Sequence, residues 1–84
     1  MPMQQAQARM FLVMLRREVE DLAAGIETAE ADAVLARRSG NLDRQAELLV
    51  RAGALDRRMY EMHRMIARLL KRFPDVDDLA PEPA

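Results

Sequence analysis

The chain has 84 residues, half of them apolar, and sets 13 Lys plus Arg against 14 Asp plus Glu for a net charge of −1. That length holds one small domain at most and leaves little room for a substrate-binding fold together with a catalytic constellation. With no cysteine in the chain, disulfides, thiolate zinc sites and a Cys nucleophile are excluded together.

Residues 1–5 read as a flexible N-terminus. They carry no basic n-region and no cleavage pattern, so the expected location is the cytoplasm. The longest apolar run, 10–15, spans six residues, far short of the roughly eighteen that a membrane span requires.

From 6 to 38 the chain lacks proline and shows one period. Apolar residues fall at Ala8, Leu12, Leu15, Val19, Leu22, Ile26, Ala29, Ala33 and Ala36, in steps that alternate between four and three. This is an unbroken heptad seam on one side of a helix. The stretch then closes on Arg37, Arg38, Ser39 and Gly40. Basic residues suit a last helical turn, and Gly suits the left-handed residue just past it. Residues 39–42 therefore form a turn, with Asn41 or Asp43 available to cap the next helix.

The second helix runs from 43 to 73 and repeats the seam with Leu48, Ala52, Leu55, Met59, Met62, Ile66, Leu69 and Phe73. Two stripes of matched length predict an all-α fold, an antiparallel two-helix coiled-coil hairpin. Register supports this independently. When the stripes are laid antiparallel, the residue numbers of opposed positions, from Ala33 with Leu48 to Ala8 with Phe73, add to 81 in every layer. The midpoint falls between Gly40 and Asn41, where capping chemistry places the turn. From Pro74 on, three prolines and four acids in eleven residues predict a disordered acidic tail over 74–84.

A two-layer rod of this size is poorly stabilised alone. Off the seam, Met10, Phe11, Val13 and Met14 on the first helix and Met65, Ala67 and Leu70 on the second make the open end of the hairpin apolar almost all round. A helix of that kind is buried on more than one side. The expectation is a partner at the open end, either a second copy completing a four-helix bundle or the helix of another protein. Flexible methionines suit varied partners.

Charge is segregated. Arg57, Arg64 and Lys71 recur every seven residues on the second helix, flanked by Arg51, Arg58, Arg68 and Arg72, while the first helix carries Glu18, Glu20, Asp21, Glu27, Glu30 and Asp32. The basic row, with Arg57, Arg58, Arg64, Arg68 and Lys71 as its candidates, would meet an acidic partner or nucleic acid. A solvated face that complements an acidic neighbour is favoured over nucleic acid, because the row carries almost no aromatics to stack bases. His63 is the lone histidine, with no second ligand at metal spacing, and no Ser or Thr has a His at helical spacing. The residues thus indicate a protein that is not an enzyme, with no cofactor, no metal and no small-molecule substrate.

The turn Ala36-Arg37-Arg38-Ser39-Gly40-Asn41-Leu42-Asp43-Arg44-Gln45-Ala46-Glu47 resembles the coiled-coil tip of Gre-type transcript-cleavage factors, which enter the secondary channel of RNA polymerase. The tip carboxylates that those factors use to hold magnesium correspond here to Asn41 and Arg44. The resemblance therefore implies a competitor for the channel that does not cleave. The overall plan is also similar to the small hairpin co-chaperones of type III secretion and to dimeric hairpin regulators of plasmids and phages. The expected function is a non-enzymatic interaction module, adaptor-like or chaperone-like, with a polymerase or nucleic-acid regulator as the alternative.

Overall fold

The structure, a computed structural model, describes residues 5–77. Two α-helices pack against one another, α1 at Gln5–Arg38 and α2 at Leu42–Arg72. They span 34 and 31 residues, or roughly 50 and 46 Å at about 1.5 Å per residue. The radius of gyration is 17.5 Å, against roughly 12 Å for a compact domain of this length. The shape is a rod one helix pair thick.

The turn follows the anticipated chemistry. Gly40 takes φ of 79°. Its N–H donates to the Arg37 carbonyl at 3.0 Å, and the Asn41 N–H donates to that of Ala36 at 2.8 Å. These two bonds satisfy carbonyls that the end of α1 leaves open, and they define a Schellman motif. Asn41, not Asp43, caps α2: its side-chain oxygen accepts from the Arg44 N–H at 3.1 Å. Asp43 sits instead in the first turn of α2, where a carboxylate complements the helix dipole. The helices begin one residue earlier than the periodicity indicates, and α2 ends one residue sooner, at Arg72.

All seventeen seam positions are buried or half-buried. At the turn end the core is Ala33, Ala36 and Leu48. At the open end it is Ala8, Leu12, Leu15 and Leu69, with Met62, Ile66 and Phe73 packed against them. Glu18 and Arg58, 40 residues apart in sequence, meet at 3.4 Å across the pair, a contact that belongs to the hairpin register.

The chain does not leave the rod at Pro74, where the sequence places the start of the tail. Residues 74–77 turn back, with the Val76 N–H donating to the Phe73 carbonyl at 3.1 Å. Val76 enters the open-end core and is 1 % exposed, the most completely buried large side chain among the described residues. Asp77 accepts from Arg16 at 2.7 Å. Composition misreads this segment because its single valine is outnumbered by acids and proline, yet that valine joins Ala8, Leu12, Leu15 and Leu69 in the core. The remaining residues of the expected tail, 78–84, and residues 1–4 of the expected N-terminus lie outside the described residues.

Candidate interaction surface

The off-seam apolar residues of the open end separate into two surfaces. Heptad geometry turns Phe11 toward the helix interface, where it joins Leu15, Met65, Arg68, Leu69, Arg72 and Phe73 around a shallow groove of about 230 Å³. Arg72 lies over the Phe73 ring at 5.7 Å, within range of a cation–π contact. Met10, Val13 and Met14 point the other way and line a second hollow with Ala6 and Arg9 on the outer side of α1. Met10 is 70 % exposed and Met14 66 %.

The other two residues of the expected interface behave differently. Ala67 is exposed and lines neither hollow. Leu70 is half-buried and packs on the open-end core, which draws it out of the surface that the sequence assigns to it.

Exposed apolar residues also occur near the turn, outside the open-end set. Val34, Leu35, Leu42, Leu49 and Val50 are all exposed, Leu35 at 61 % and Val50 at 72 %. The signal that identifies them was present: each lies off the seam, as Met10 and Met14 do.

The basic row divides likewise. Arg57, Arg64 and Lys71 are exposed and make no ion pair among the described residues. Arg58 is engaged with Glu18, and Arg68 borders the apolar groove. Nearer the turn, a cleft of about 550 Å³ runs between the helices, where Asp32 and Glu47 stand among Arg44 and Arg51. Arg44 and Glu47 approach to 3.6 Å. The charges in this cleft balance one another, and Gly25 in its wall admits Leu55, whose Cδ1 would lie 3.2 Å from any Cβ placed there.

At the open end, the hydrogen bond from Arg16 holds the Asp77 carboxyl below the usual carboxylate range, and the same contact raises Arg16. His63 is exposed on α2. Among the described residues no three His, Cys, Asp or Glu side chains gather as a metal site requires. None of the helices among these residues is long and apolar enough to cross a membrane.

Comparison with protein-family models, with curated proteins and with solved structures finds no match to this chain.

Proposed function

We propose that this chain is a non-enzymatic, cytoplasmic protein–protein interaction module: an adaptor-like or chaperone-like helical hairpin that assembles with itself or with another helical protein. The observation that carries the reading is the pair Met10 and Met14, one turn apart on α1 and largely exposed, with Val13 beside them. Large flexible apolar side chains gathered on one rod face gain free energy when a partner removes them from water, at about 25 cal/mol per Å² of apolar area. The groove around Phe11 and Met65 offers a second contact of the same kind.

The test is the mass in solution. Light scattering at micromolar concentration should give a multiple of the 9.6 kDa protomer, and Met10→Glu/Met14→Glu should return it to one. A wild-type protein that is fully helical, monomeric at 100 µM and unable to retain any helical protein would overturn the reading.

The free row Arg57, Arg64 and Lys71 supports a second reading, a regulator that meets nucleic acid or RNA polymerase through α2 or through the turn at Gly40 and Asn41. Such binding falls steeply with salt. Failure to bind generic RNA or DNA at low salt would remove the nucleic-acid arm.

A further inference from the structure

We infer that the outer face of α1 is a self-complementary docking surface whose occupant is the same face of a second copy, laid antiparallel. This rests on the interaction-module reading and specifies its partner. From Ala6 to Arg38 the face turned away from α2 repeats the four-three spacing of the inner seam, through Met10, Val13, Arg17 and so on. In the inner seam, opposed residue numbers add to a constant. Applied to the outer face, the same condition has a solution in which opposed positions add to 44, and the layers between 10 and 34 then pair apolar with apolar and acid with base, save the central one, where Glu20 falls opposite Ala24.

Met10 faces Val34 of the second copy and Val13 faces Ala31. Arg17 faces Glu27, a layer of opposite charges that occurs on both sides of the centre. Ala24 stands near the dyad, where a small residue lets the two backbones approach. The flanking rows follow the offset that Glu18 and Arg58 show inside the hairpin. They bring Met14 beside Leu35 and Arg9 beside Glu30. A two-fold axis makes every pair occur twice.

Other registers fail on the same residues. Sliding by one heptad sets Met10 against Glu27, or Arg17 against Val34. A parallel arrangement sets Arg17 and Glu27 each against its own copy, and opposed like charges are costly. The pairing also accounts for an apolar pair at each end of α1. Met10 and Met14 at the open end and Val34 and Leu35 near the turn, all exposed, are the two halves of one interface.

The absence of cysteine from the chain makes the test direct. Val13→Cys and Ala31→Cys proteins are oxidised alone and as an equimolar mixture. The mixture should give the 13–31 heterodisulfide, and each variant alone should stay mostly reduced, because layer partners alone come within the ~7 Å Cα separation that a disulfide bridges. Val34→Glu/Leu35→Glu, which should stay helical since both residues are exposed, should yield a protomer-sized particle just as Met10→Glu/Met14→Glu does. The two pairs lie roughly 30 Å apart along α1 at about 1.5 Å per residue. Arg17→Glu and Glu27→Arg should each weaken the dimer by roughly tenfold or more, and the double variant should restore it.

A Val13→Cys homodisulfide would overturn the antiparallel arrangement. Loss of assembly in Met10→Glu/Met14→Glu with retention in Val34→Glu/Leu35→Glu would overturn the second-copy pairing and leave the interaction-module reading standing. A wild-type monomer would remove the dimer itself.

Discussion

Replacing Val76 by Ala probes whether the returning segment is part of the core. Val76 is 1 % exposed and touches the cluster of Ala8, Leu12, Leu15 and Leu69. The substitution deletes two methyl groups, worth about 1.6 kcal/mol at about 0.8 kcal/mol per buried carbon. A residual cavity would add to that where the site fails to collapse. Collapse is limited here, because Ala8 has nothing to extend into the space and Leu12, Leu15 and Leu69 are held in their helices.

The loss has a ceiling as well. Once it exceeds the free energy that holds residues 74–77 in place, the segment detaches and the rest of the hairpin stands without it. Urea unfolding followed by circular dichroism should show the midpoint fall with a stability loss of about 1.5 to 2 kcal/mol, equivalent to roughly 6–16 °C in Tm for a domain of this size. A change below about 0.3 kcal/mol, within the scatter of ordinary surface substitutions, would refute a stabilising contribution of the returning segment to the core.

Two glycines should respond in opposite directions. Nothing lies within 4 Å of a Cβ built on Gly53, so Gly53→Ala should raise stability by about 0.5–1 kcal/mol through helix propensity. Gly40→Ala should lower it by about 1–2 kcal/mol, because φ of 79° strains any residue with a Cβ. Thermal melts of both variants decide, and a shift of the same sign in the two would refute the argument. The Arg16–Asp77 contact adds a pH dependence. Asp77 has a depressed pKa in the folded chain, so its contribution is complete above the ordinary carboxylate value and is lost as pH falls through the depressed one. Urea midpoints taken from pH 6 down to pH 2 should show an acid-linked decline that Arg16→Gln diminishes, and identical profiles for the two proteins would refute it.

The inner architecture was legible because it rests on one repeated spacing. Seam, turn and register follow from seventeen apolar positions, and the capping bonds at Gly40 and Asn41 lie where those positions require them. Periodicity does not reach single residues that act outside a helix. Val76 was invisible to it, since a lone valine among acids has no period, and only the folded hairpin brings it to Ala8, Leu12, Leu15 and Leu69. The surface was partly legible. Six of the seven open-end residues are exposed as expected, and Leu70 is drawn inward. Grouping them as one patch overlooked that Phe11 and Met10, adjacent in sequence, face different directions on a helix. Val34 and Leu35 lie off the seam near the turn, where the neighbouring seam residues are alanines and no cluster of large apolar residues marks the face.

A hairpin of this kind brings the beginning of α1 and the end of α2 to the same extremity of the rod. Tension applied between the two chain ends would therefore act on one layer at a time and peel the helices apart like a zip, not shear them past one another. Val76 and the Arg16–Asp77 contact, both at that extremity, would carry the load first. The alanine layers beside Gly40 would be the last to part and, on relaxation, the first to close.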